Sequence, residues 1–512
     1  MKNILCVMLI SAGLCLAQDI HICVDSSANG YTLWGQTHES ISYSPLLDTI
    51  LIVDRGFVNS NYLNTTCTSG NLSNFATELT YQGQLGPARY PTAIAGAGLY
   101  ISFPFLISGA WGGMGAQKIT DSPVDVGNGD LDVHKVIGKQ LPDSNLIFIG
   151  LTINNAILAY TWNKDLTQLI ASTSIATNAS YVGCDCNGGT FCIFYRSLSD
   201  SSIYYRTTID GINWAPPQQW SIPLADSLSI GYMQMALTDN GEPRIVFDAY
   251  SESDNTNRIY VSYASGVSPA LLVRLRDTIC FYPTIATGGS YSAVLYKRSR
   301  NMGSGPANWW DFYMVWSSDN GITWGQPINC TQSLTYNPGL PQLAKRIDTL
   351  RMRAYYIYLA HIGNNDDPYW TLLYGTPTSC RIYLGVKTYT GIEENSQSAI
   401  RNPKLEISPN PFKNHCVIKF QIPNPNDQTN SNTEIPNHSE IRNPKSEISL
   451  MVYDVSGRVL KSFNLESCIM NHESGIVWDG CDELGRRLPP GVYCVQWKAG
   501  NLIMVNKIVL LR

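Results

Sequence analysis

The chain has 512 residues with 29 Tyr, 41 Gly and 27 Pro, only 15% charged residues, and a formal net charge of −5. That length exceeds a single core and implies two or three domains. Abundant aromatics and turn formers, with no long apolar stripe of helical period, predict an all-β fold. No basic run is available to neutralise phosphates, which excludes a nucleic-acid surface.

The first residues, MKNILCVMLISAGLCLAQ, read as a secretory signal peptide over residues 1–17. Lys2 gives the positive start, Ile4 to Leu16 the apolar run, and Ala17 the small residue at a cleavage point. The run is shorter than the roughly 20 residues that span a bilayer, and no later stretch is apolar enough. The expectation is a protein secreted or held at the outer cell surface, with no membrane span in the mature chain. Of 14 cysteines, Cys6 and Cys15 leave with the leader; eight lie between Cys23 and Cys380 and four between Cys416 and Cys494. Even counts suit disulfides in an oxidising compartment, with connectivity open. Cys184, Cys186 and Cys192 straddle a Gly188-Gly189 hairpin turn. Free thiols or a cross-strand bridge fit them better than a metal, because no C-x-x-C pair is present.

Residues 18–391 repeat one pattern: a short strand, a turn with Gly, Asp or Asn, a strongly apolar strand, then a more polar one. Units begin at Ile41, Arg89, His134, Tyr181, Tyr232, Phe281 and Leu340. Their spacing of about 43 to 58 residues is that of a four-stranded propeller blade. Seven starts predict about seven blades; six or eight also fit, since the first and last units often share a blade. In the sixth unit Ser318, Asp319, Gly321, Thr323 and Trp324, with Ser317 ahead of them, nearly spell S-x-D-x-G-x-T-W; the fourth carries a shorter form, Asp210, Gly211 and Trp214. An Asp opening such a turn accepts the following backbone N–H groups, Gly supplies a positive φ, and Trp packs beneath. These turns resemble the Asp box, or BNR repeat, of the sialidase-like β-propeller superfamily. They lie between the outer two strands of a blade, away from the axis.

After a linker at 392–403 the texture changes. Pro409-Asn410-Pro411, Tyr453-Asp454 with Gly457, Trp478-Asp479-Gly480, Gly491-Val492-Tyr493 and Lys507-Ile508-Val509 follow in order. They resemble the C-terminal immunoglobulin-like sorting domain of the type IX secretion system and the related domain of flagellar hook-capping proteins. On that likeness residues 404–512 are a small β-sandwich, and the type IX machinery is the implied partner. "IRNPKLEIS" recurs as "IRNPKSEIS" around a polar Asn/Pro/Ser segment, which reads as a disordered loop inserted at about 424–446.

Sialidases of the superfamily need arginines for the substrate carboxylate, a tyrosine nucleophile assisted by glutamate, and an acid/base aspartate. The resemblance nominates Arg89, in an R-x-P frame, with Glu242 and Tyr355 as catalytic candidates; each also reads as a blade residue. Phe281 occupies the position of Arg89 in the sixth unit. Trp309 and Trp310 are candidate sugar-stacking residues. Asp125, Asp130 and Asp132 gather oxygen ligands that could hold Ca²⁺, without the D-x-D-x-D-G order; otherwise no cofactor is expected. The predicted function is binding of extracellular glycan or another polymer, with a sialidase-like hydrolase or an adhesive surface component as alternatives.

Overall fold

The computed structural model describes residues 20–511 except 30–38, 56–61, 130–131, 223, 225–227, 264–266, 277, 301–308, 332–333, 335, 362–378, 390–404, 422–447, 455–457, 464–472 and 500–501. The segments expected to be leader, linker and inserted loop therefore lie outside the described residues, as does Asp130. The chain divides into two compact units, Met1–Glu394 and Asn395–Arg512.

Among the described residues the first unit contains no helix and seven four-stranded antiparallel sheets. We number them as blades 1 to 7 by their innermost strands: Ile41–Ser44, Thr92–Ala95, Val133–Gln140, Ala179–Asn187, Ser229–Leu237, Cys280–Gly288 and Gly339–Leu343. Six blades are four consecutive strands. The seventh combines Gly339–Leu343, Arg353–His361 and Ser379–Thr388 with the N-terminal strand Ile20–Asn29, paired from Ile20↔Val386 to Asn29↔Ser379. Seven buried apolar clusters fill the seams between adjacent blades. One joins blade 7 to blade 1 through Leu340, Tyr355, Ile41 and Tyr43. The ring is closed, and the unit is a β-propeller.

The radial position of a strand is written in its pattern. The second strand of blade 3, Leu146–Thr152, is covered on both faces by neighbouring sheets and is buried at every position. The outermost strand of the same blade, Leu169–Ala176, alternates half-buried and exposed residues. The innermost strands run parallel round the axis: Ala93 N–H donates to Glu39 O (2.7 Å), and Thr287 and Arg346 form a parallel bridge. Every blade thus enters at one end of the axis, the entrance end, and makes its first hairpin at the other, the turn end. Turns crowd there. A side chain on Gly188 (φ 57°) would meet the backbone nitrogen of Gly241 in the next blade at 2.2 Å, so only glycine fits.

The second unit pairs Leu405–Ser408, Cys416–Gln421 and Glu473–Trp478 in one sheet, and Val459–Phe463, Ile448–Tyr453, Gly491–Ala499 and Leu502–Leu510 in another. Trp478, Phe412, Tyr493 and Leu510 meet in the core between them. Asn410 fastens the Pro409-Asn410-Pro411 segment to the last strand, donating to Lys507 O (2.8 Å) and accepting from Val509 N–H (2.9 Å). The peptide bonds before Pro409 and Pro411 are both cis.

Candidate functional site

The turn around Asp319 is held by local hydrogen bonds. Its carboxylate accepts from the Thr323 N–H (2.9 and 3.1 Å), the Thr323 hydroxyl (2.5 Å) and Ser317 Oγ (2.8 Å), which together hold its pKa at about 2. Ser317, not exposed Ser318, supplies the hydroxyl, which also accepts from Gly321 N–H (2.8 Å); Gly321 has φ 76°. Asp210 accepts from the N–H groups of Ile212 and Asn213, both at 2.8 Å. Gly211 (φ 72°) follows it, and Trp214 packs edge-on to Phe191. Each turn also docks on the preceding blade: Tyr263 O–H donates to Gly321 O (2.6 Å), Trp324 Nε1 lies 3.2 Å from Tyr263 Oη, and Thr161 O–H donates to Gly211 O (2.9 Å).

The catalytic candidates do not converge. Arg89 is half-buried at the entrance end, with its Nη1 donating to Ala88 O (3.1 Å). Glu242 is exposed in the first hairpin of blade 5, at the turn end. Tyr355 is fully buried in blade 7, its hydroxyl 2.6 Å from Asp348 Oδ2 and 2.9 Å from Gly70 O. Burial and that carboxylate push its phenol pKa upward, the wrong direction for a nucleophile. Of the other glutamates between Asp19 and Gly391, Glu78 and Glu252 are exposed and Glu39 is bonded to lysines.

The tandem tryptophans differ from expectation. Trp310 is 1% exposed, edge-on to Phe281 and under the Lys297 ammonium (4.4 Å to the ring centre), so no external sugar can stack on it. Trp309 is half-buried with the Arg300 guanidinium 5.2 Å from its ring centre. Asp125 accepts from Gly127 N–H (3.0 Å), and no group of three metal-ligating side chains gathers among the described residues. Every described cysteine is a free thiol, and Cys184 and Cys192 are buried in adjoining strands.

Two aromatic groups occupy the entrance end. On one side Tyr90, Trp111 and His134 are half-buried and adjacent, with ring centres 6.0 and 6.1 Å apart. Across the ring, buried Tyr232 meets half-buried Tyr282 edge-on at 5.1 Å, and Phe281 lies 4.6 Å from Tyr282. Bulges at the strand entries throw these residues out of register. Tyr90, Tyr282 and Leu340 each precede a proline and have φ 38°, 55° and 54°, which is strained for side-chain-bearing residues. Asp248 ties two entries together, accepting from the backbone N–H groups of Tyr232 and Tyr282. Burial raises its pKa to about 7 against those hydrogen bonds. His134 is shifted down to about 4 by burial and by Lys135.

A charged network closes the middle of the axis. Glu39 accepts from Lys139 of blade 3 and Lys345 of blade 7; Lys345 also donates to Cys184 O (3.0 Å) and Met235 O. Arg346 Nη2 holds both Asp185 oxygens at 2.8 Å, and Leu237 N–H donates to Asp185 Oδ2 (2.7 Å). Burial opposes the Asp185 carboxylate, yet Arg346, Lys345, Lys139 and that N–H bring its pKa below the usual value. The sequence assigned no role to this set. Its signal is a charged residue in an apolar inner strand just before the hairpin, as in "VIGKQL", "GCDC" and "QLAKRI".

The fold defines the class: a closed all-β propeller joined in sequence to a second, two-sheet β unit. No protein-family model matches the chain, and no curated protein does. Among solved structures it is similar to the polysaccharide lyase Uly1, at 10% identity and TM-score 0.44, over 73% of this chain and 100% of that one. It is similar to the BP39L lectin from Burkholderia pseudomallei at 8% identity and TM-score 0.43, over 65% and 94%. The phage phi92 endosialidase matches at 8% identity and TM-score 0.41, over 96% and 87%.

Proposed function

We propose that this is an exported glycan-binding propeller whose ligand site is the entrance end of the axis. The observation that carries the reading is the aromatic rim there. Tyr90, Trp111, Phe281 and Tyr282 are half-buried aromatic residues at the strand entries, in two groups on opposite sides of the ring. Rigid aromatic faces pack against the apolar faces of sugar rings at little entropic cost, and strained backbone at Tyr90 and Tyr282 is typical of ligand sites. A hydrolase reading lacks this support, because no described glutamate meets a tyrosine beside several arginines.

Residues 1–17 act as the leader, and residues 404–512 act as the sorting domain read by a type IX-like machinery, which places the propeller outside the cell. The turns around Asp319 and Asp210 are Asp boxes with an architectural role. Glycan-array screening of the mature protein tests the ligand reading. Tyr282→Ala and Trp111→Ala should each weaken binding at least about tenfold without moving the unfolding midpoint. Unchanged binding in both variants rejects the entrance end as the site. Binding should survive EDTA, and 4-methylumbelliferyl glycosides, the sialoside included, should not be turned over.

A further inference from the structure

The turn end of the same axis opens into a cavity of about 520 Å³, which the reading above leaves unused. Its walls are the first hairpins of the blades, with Ser42, Ala97 and Gly189 among the lining residues; Lys139, Asp185, Lys345 and Arg346 form its floor. That volume is within the range of small-ligand sites.

The floor has an unbalanced charge inventory. Lys139, Lys345 and Arg346 are three buried or nearly buried cations, whereas Glu39 and Asp185 are two buried carboxylates. Asp239 also borders the cavity, but at its exposed rim, engaged by Asn187 Nδ2 (2.9 Å) and Gly289 N–H (2.7 Å). The three Lys345 donors are matched by Glu39, Cys184 O and Met235 O. Lys139, on the cavity floor, has a single acceptor among the described residues, Glu39. Burial works against its ammonium, but Glu39 and Asp185 keep it charged. A buried cation short of acceptors and counter-charge, beside an open cavity, is an anion site.

We propose that this cavity is a second ligand site, which takes a ligand with one anionic group, a carboxylate or sulfate ester on a small sugar, through Lys139. One negative charge balances the floor; a phosphate dianion would overcharge it. The site is at the opposite end of the axis from the aromatic rim and stands whether or not that rim binds glycan.

Calorimetric titration of the mature full chain at low salt, with methyl glucuronide, glucose 6-sulfate and neutral methyl glucoside, tests this. At least one acidic sugar should bind while the neutral one does not. Lys139→Met should lower that affinity at least about tenfold. Ala97→Trp, at an exposed lining position, crowds the cavity without replacing any of its charges and should also lower the affinity, which keeps the test decisive if Lys139→Met misfolds. Tyr282→Ala should leave this binding unchanged. No heat with either acid, or undiminished binding in Ala97→Trp, overturns the proposal. So does loss in Tyr282→Ala alone, which would place the acid at the entrance end.

Discussion

Asp248 shows what one buried carboxyl does to this molecule. Its pKa of about 7, against the usual 3.8, means that the folded state holds a proton the unfolded chain has lost. The protonated acid contributes stability that is fully present below about pH 4 and is lost as pH rises through about 7, on the order of 4 kcal/mol. Asp54 is shifted upward in the same direction by burial and by Asp25. His21 and His134, both lowered to about 4, act with the opposite sign, losing their stabilisation as pH falls from 6.5. The net slope is therefore a poor readout and the difference between variants a good one. Asp248→Asn should gain stability relative to the parent as pH rises from 4 to 8, measured by urea midpoints. A constant gap across that range would mean that Asp248 does not titrate in the window. Glu39→Gln offers a second residue-scale check, since it removes the charge shared by Lys139 and Lys345. Loss of one partner from a buried network typically costs about 3–5 kcal/mol, read as a lower urea midpoint at pH 7; a cost near zero would show that water screens the network.

At the scale of elements, the turn Ser317–Trp324 joins two tasks: its own hydrogen bonds shape it, and Tyr263 and Arg244 of the preceding blade grip it. Asp319→Ala should cost about 1–2 kcal/mol of stability and leave the proposed glycan binding intact; binding lost with the fold preserved would give the turn a direct part in recognition. Such turns were legible because their chemistry is local, within eight consecutive residues. The blade rhythm was legible for the same reason, as period-2 strands and Gly-bearing hairpins recur along the chain. The axial network was not. Lys139 meets Glu39 across 100 residues and Lys345 meets Cys184 across 161, and no local pattern predicts which inner-strand charges converge. Nor could "NWWDFY" tell its two indoles apart: strand register places Trp310 opposite Ser299 inside the sheet, while Trp309 stays half-buried under Arg300.

At the scale of the whole molecule, the ring depends on ten residues from the start of the chain. Deleting Ile20–Asn29 strips the outermost strand from blade 7 and leaves Ser379–Thr388 as a bare edge. The unfolding midpoint should fall by more than about 10 °C, and a synthetic peptide of the deleted sequence should recover part of it. An unchanged midpoint would mean that the apolar seam between blades 7 and 1 closes the ring without that strand. The same strand sets a clock. Its partner, Val386, lies 366 positions after Ile20, so six blades can form while the seventh is incomplete. However early the N-terminal strand emerges, it waits for Ser379–Thr388, so the ring is the last feature of the propeller that synthesis can complete.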